Sequence, residues 1–105
     1  MLDKRKFYID GKWVSPSKPN DLEVINPSTE EAFATISLGS KEDTNSAVSA
    51  AKKALVNWSE SSKEERINLL EKLLDIYKKR YSEMTEAISM EMGAPMDWSN
   101  DAQTS

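Results

Sequence analysis

Two adjacent glutamates, Glu64 and Glu65, and two aspartates four residues apart, Asp97 and Asp101, are the groups whose types and spacing could do acid–base or metal chemistry. Adjacent helical residues point about 100° apart, so Glu64 and Glu65 do not face each other. Ser62, three residues before Glu65, makes that glutamate the second half of a capping box instead. Asp97 and Asp101 would share a helical face and, with Asn100, could suggest a metal site. No Asp-x-Asp-x-Asp-Gly loop surrounds them, and a polar first turn, where the helix dipole favours anions, accounts for both. Lys78-Lys79-Arg80 is shorter than the roughly 5 to 8 residues of a nucleic-acid patch and reads as the solvated end of a helix.

What is missing restricts the chemistry further. There is no cysteine, hence no thiolate nucleophile, no disulfide and no Cys-based zinc site, and no histidine, hence no Ser-His or Cys-His pair and no imidazole ligand. The three glycines, Gly11, Gly39 and Gly93, are too scattered for a phosphate-cradling loop. A net charge of -4 argues against nucleic acid as a partner. No stretch approaches the ~20 apolar residues of a membrane span, and the basic start, Met1 to Lys6, has no apolar run behind it, so a soluble cytoplasmic protein is expected. The apolar share of 38% falls below the usual ~45 to 50%, leaving thin material for a core in a chain long enough for one small domain.

The elements that would carry these groups fall into two stretches. Residues 1–40 read as short strands and turns. Asp10-Gly11 between Phe7-Tyr8-Ile9 and Lys12-Trp13-Val14 predicts a hairpin, because both residues tolerate the positive φ of a type I′ turn. Leu22 to Ile25 and Ala32 to Ser37 predict a second antiparallel pair around Asn26-Pro27. Residues 41–105 read as helices. Ser40 with Asp43 and Ser62 with Glu65 predict two capped N-termini, the first followed by an apolar face of Val48, Ala51, Leu55 and Trp58, the second by Ile67, Leu70, Leu73, Leu74 and Tyr77. The first face is expected to be core, whereas Leu70, Leu73, Leu74 and Tyr77 of the second are expected to stay partly exposed in this chain by itself. A break is expected near Arg80, Gly93 suits a C′ position, and Pro95 suits the first turn of a last helix that has no stop signal before Ser105.

Several phrases in this order resemble the aldehyde dehydrogenase superfamily: Phe7-Tyr8-Ile9-Asp10-Gly11-Lys12-Trp13-Val14, Val24-Ile25-Asn26-Pro27-Ser28-Thr29-Glu30-Glu31 and Ala47-Val48-Ser49-Ala50-Ala51-Lys52-Lys53-Ala54, with Trp58, Glu65-Arg66 and Glu91-Met92-Gly93-Ala94-Pro95. The resemblance is to the N-terminal portion of a much longer chain. It implies an α/β fold with a Rossmann-like cofactor domain, of which residues 1–105 form an N-terminal part and not a complete domain.

The resemblance also implies what the parent does: NAD- or NADP-dependent oxidation of aldehydes to carboxylic acids. A Cys thiolate forms the covalent adduct, an Asn amide helps stabilise the oxyanion and a Glu activates water. All three lie downstream of this stretch in the family, as do the cofactor-binding residues, so the chain alone is expected to bind no nicotinamide cofactor and to be inactive. Its implied partners are the remainder of the parent subunit and further copies in a homo-oligomer. One minor site carries over: a monovalent cation held by the main-chain oxygens of Val24 and Ile25 and the carboxylate of Glu91, oxygen donors that suit a hard cation. Ala94 stands where many members have Lys. The alternative to a dehydrogenase fragment is a free-standing protein-interaction module that offers its edge strands and apolar helix faces to a partner.

Overall fold

The computed structural model describes all 105 residues, as five strands followed by helices. In chain order these are β1 (Leu2–Asp3), β2 (Phe7–Ile9), β3 (Lys12–Val14), β4 (Asp21–Asn26), β5 (Glu31–Ser37), α1 (Lys41–Trp58), α2 (Lys63–Lys79), α3 (Tyr81–Met92) and a one-turn α4 (Met96–Trp98) that runs into a π-helical turn at Ser99–Gln103. The change from strand to helix falls at Ser40, so strands and helices are segregated along the chain. The chain divides into two compact units: residues 1–24 with 32–60, and residues 25–31 with 61–105.

In the first unit β2 and β3 form the expected antiparallel hairpin, Tyr8 opposite Trp13, with φ of 54° at Asp10 and 75° at Gly11. These angles are those of a type I′ turn, which matches the twist of the strands it joins. Tyr8 and Trp13 meet edge to face at 5.2 Å between centroids, yet both point to solvent. A second sheet has the order β1-β5-β4. The β1 strand, which carries no sequence signal, pairs in parallel with β5 through Leu2 opposite Ala34 and Asp3 opposite Thr35. Arg5 fastens this end, pairing with Asp3 at 2.8 Å and Asp21 at 3.2 Å.

Both expected capping boxes form. The Ser40 hydroxyl accepts from the Asp43 amide at 3.2 Å while the Asp43 carboxylate accepts from the Ser40 amide at 2.9 Å. Ser62 and Glu65 repeat the exchange at 3.1 and 2.7 Å. Asp43 does more than cap. Its other oxygen accepts from the Ser17 amide at 3.0 Å, tying the loop after β3 to the start of α1.

In the second unit α2 ends at Lys79 and α3 begins at Tyr81, the expected break at Arg80. The π-helical turn is held against α2 and α3 by polar contacts. Tyr77 donates its hydroxyl to the Thr104 carbonyl at 2.6 Å, Tyr81 donates to the Asn100 carbonyl, and the Thr85 and Thr104 hydroxyls meet at 2.9 Å. Thr85, Ser99 and Thr104 are all buried here, and the Ser99 Oγ has no partner.

The core expected on the α1 face does not form, and the α2 stripe is exposed, as expected of this chain by itself. Ala34 is the one buried apolar residue of the chain, whereas Val48, Leu55 and Trp58 on α1 and Ile67, Leu70, Leu73 and Leu74 on α2 are between 42% and 63% exposed. The amphipathic pattern fixed which face of each helix is apolar, but no element within these residues lies over it. The exception is Tyr77, half-buried within the α2 stripe, whose hydroxyl reaches the Thr104 carbonyl of the π-helical turn.

Candidate functional site

Glu64 and Glu65 do not form an acid–base pair, since Glu65 is committed to the Ser62 amide. Asp101 accepts from the side chain of its neighbour Asn100 at 2.9 Å, and no group of three acidic, histidine or cysteine side chains comes together anywhere in the chain.

The residues assigned to a cation lie on two elements. Val24 is half-buried and Ile25 exposed on β4, and Glu91 is the penultimate residue of α3, exposed, with no hydrogen bond or ion pair to its carboxylate. Val24 belongs to the first unit, Ile25 and Glu91 to the second. Within that second unit the turn after Ile25 and the end of α3 are in contact. Gly93 closes α3 in the left-handed conformation with φ 71°, its amide donating to the Ser89 carbonyl at 2.9 Å. A Cβ built on it would lie 2.8 Å from the Pro27 Cγ and 3.6 Å from the Ser28 nitrogen. The turn itself is fixed by Asn26, whose side-chain oxygen accepts from the Ser28 amide at 2.9 Å and whose carbonyl accepts from the Glu30 amide at 2.8 Å.

In the first unit an open groove of about 320 Å³ lies between the β2–β3 turn at residues 8–11 and the alanines Ala47, Ala50, Ala51 and Ala54 of α1. Its walls carry one carboxylate, Asp10, and one phenol, Tyr8, with no serine, threonine, lysine or cysteine among them. Perturbed carboxylates lie elsewhere and have structural causes. Amide donation from Ser40, then from Ser17, holds Asp43 below its ordinary pKa, and the Arg5 guanidinium holds Asp3 down at about 2. Neither lines the groove beside the β2–β3 turn.

Residues 13–104 match the sequence profile of the aldehyde dehydrogenase family. The chain belongs to that family. It is 46% identical over 96 residues to the 3-succinoylsemialdehyde-pyridine dehydrogenase of a Pseudomonas species, a match that covers 91% of this chain and 20% of that protein. The crystal structure of an aldehyde dehydrogenase from Bartonella henselae superimposes with a TM-score of 0.98 and 59% identity, over 99% of this chain and 22% of the other. Aldehyde dehydrogenase C of Pseudomonas syringae, solved with NAD+ and octanal, gives a TM-score of 0.93 at 39% identity over 95% of this chain and 21% of the other. The chain thus corresponds to the N-terminal portion of an aldehyde dehydrogenase and spans about a fifth of the length of the relatives it matches. No helix is long and apolar enough to cross a membrane.

Proposed function

We propose that residues 1–105 serve as the N-terminal structural part of an NAD(P)-dependent aldehyde dehydrogenase, which oxidises aldehydes to carboxylic acids as a whole, homo-oligomeric enzyme, and that they have no activity alone. The observation that carries this reading is the superposition on the Bartonella henselae enzyme over 99% of the chain, combined with the absence of any cysteine to attack an aldehyde. The NAD+ bound by the Pseudomonas syringae relative supports a nicotinamide cofactor for the whole protein. In that setting the strands and capped helices form a scaffold, and the apolar faces of α1 and α2 pack on the rest of the subunit.

The same reading assigns Val24, Ile25 and Glu91 to a monovalent cation. Main-chain oxygens and one unengaged carboxylate are a donor set that suits a hard cation, and bound there it would supply positive charge linking β4 to the end of α3. The two residues would contribute their carbonyls, and Glu91 its carboxylate.

A chimera joining this chain to the remainder of the Bartonella henselae enzyme tests the proposal. NAD-dependent aldehyde oxidation by the chimera, with none by the isolated chain, is expected. Turnover by the chain alone, or a folded chimera without activity, overturns it. The apolar helix faces also suit a free-standing interaction module. A sharp cooperative melt of the isolated chain as a monomer would favour that reading.

A further inference from the structure

Asp10-Gly11 carries a reactivity that the geometry of the hairpin controls. In an aspartyl-glycine pair the backbone nitrogen of the glycine can attack the carboxyl carbon of the aspartate, and glycine has no side chain to shield that nitrogen. Both residues are exposed here, and a Cβ placed on Gly11 would meet nothing within 4 Å.

The turn holds the two reacting atoms apart. Ring closure needs the Asp10 Cβ and the Gly11 nitrogen on the same side of the bond from the Asp10 Cα to its carbonyl carbon, which requires a ψ of about -120°, outside the regions open to an L-residue. The type I′ turn, with φ of 54° at Asp10 and 75° at Gly11, instead sets the Asp10 ψ at about +30°, placing the two atoms on nearly opposite sides. Closure therefore demands a rotation of about 150°, and the strands cannot stay paired through it.

We propose that Asp10-Gly11 is a site of spontaneous aspartate isomerisation gated by the hairpin, silent while the turn is formed and reactive whenever β2 and β3 part. On opening, the Gly11 nitrogen bonds to the Asp10 carboxyl carbon, the carboxyl hydroxyl leaves as water with the amide proton, and a five-membered succinimide results. Water then opens the ring at one of its two carbonyls. Attack at the side-chain carbonyl restores aspartate, and attack at the main-chain carbonyl leaves the chain running through the side chain, as isoaspartate. The water lost in closing is regained in opening, and no oxidant or cofactor takes part.

The gate is weakly held. β2 and β3 form a two-stranded sheet of three residues each, and a two-stranded hairpin is marginal in water. On its outer face Tyr8 and Trp13 are 64% and 66% exposed and support chiefly each other, while on the inner face Phe7 reaches within 3.8 Å of where a Gly39 Cβ would lie. Reaction also prevents reclosure. Isoaspartate adds one methylene to the backbone of a two-residue loop whose length sets Phe7 opposite Val14 and Tyr8 opposite Trp13, so the modified chain cannot rebuild the same turn. Residues 8–11 wall the groove beside α1, which changes shape with them.

The covalent chimera is incubated in heavy-oxygen water, with and without concentrated urea, and then digested in ordinary water. Trypsin, cutting after Lys6 and Lys12, releases residues 7–12 as one peptide whose aspartate and isoaspartate forms separate by chromatography. Each ring opening leaves one heavy oxygen in it, so mass spectrometry counts both outcomes. Label should enter at least about tenfold more slowly in the folded chimera than in urea. Tyr8→Ala combined with Trp13→Ala, which weakens the hairpin and spares the reacting pair, should raise the folded rate about three- to fivefold and leave the rate in urea unchanged. Trp13→Ala alone, the milder change, should fall between. Ser62→Ala, which weakens the distant start of α2, should react at the parental rate. Absence of isoaspartate in urea removes the site. Equal rates with and without urea remove the gate, and a Ser62→Ala rate as high as that of the hairpin variants assigns it to global unfolding and overturns the proposal.

Discussion

Gly93 stands so close to Pro27 that a Cβ on it would lie 2.8 Å from the proline Cγ. The contact and the left-handed φ of 71° act together, since the first denies space to a side chain and the second denies it a relaxed backbone. Gly93→Ala should therefore destabilise the covalent chimera by at least about 1 to 2 kcal/mol from the backbone alone, with a further loss from overpacking. Thermal melting of the two proteins side by side measures it, and an unchanged midpoint would mean that the turn at Pro27 yields without cost.

The second capping box makes a simpler prediction. Ser62 is exposed around its hydroxyl and serves the Glu65 amide at 3.1 Å. Ser62→Ala should cost about 0.5 to 2 kcal/mol through the lost cap, and Ser62→Asp should recover most of it. Denaturant titration of the chimera carrying each variant checks both directions.

Acid should loosen the start of α1. The Asp43 pKa is lowered by the Ser40 amide first and the Ser17 amide second, so its folded value lies below its unfolded one. Such a group contributes fully above the unfolded carboxylate value of about 3.9, and the contribution disappears as pH falls through the folded value. Asp3, held at about 2 by Arg5, adds a smaller exposed contribution of the same sign across pH ~4 to 2. The melting-temperature gap between the parent and Asp43→Asn should be constant above about pH 5 and should narrow below about pH 4. A gap that does not depend on pH would assign the effect of Asp43 to shape and not to charge.

The isolated chain should lack both chemistry and a fixed core. Attack on an aldehyde by this family's route needs a thiolate, and there is none. One buried apolar residue, Ala34, cannot offset the entropy of ordering 105 residues. Each 100 Å² of apolar surface left in water forfeits about 2.5 kcal/mol, a large part of the ~5 to 15 kcal/mol that stabilises an ordinary domain. Dye binding to exposed apolar surface, far-ultraviolet signal without a near-ultraviolet one, and no heat of NAD+ binding are expected. A tight near-ultraviolet spectrum would contradict the stability half, and measurable turnover the chemical half.

Local signals were legible in the sequence because their causes are local. Asp10-Gly11 dictates the type I′ turn, Ser40 with Asp43 and Ser62 with Glu65 start their helices, and Gly93 ends one. Long-range polar ties were not legible. Nothing in Leu2-Asp3 announces a parallel strand against β5. Nothing in Ser17 announces an acceptor on α1, and Thr85, Ser99 and Thr104 look like surface residues until tertiary contacts bury them. The expectation that Trp58 would be core failed for another reason: periodicity specifies an apolar face and is silent on what covers it. The cation residues came from family resemblance alone, since two main-chain oxygens leave no trace in side-chain types.

The interleaving of the two units bears on how the chain is made. The tip of the β4–β5 hairpin, residues 25–31, belongs with a unit otherwise composed of residues 61–105. On the ribosome, which delivers the chain N-terminus first, the hairpin strands and α1 can associate as soon as residue 60 has emerged, but the turn at Pro27 must wait for Gly93. A nascent chain stalled between those points would expose that turn to proteases, and one released beyond it would protect it, so timed digestion of arrested translation products would show when the second unit closes.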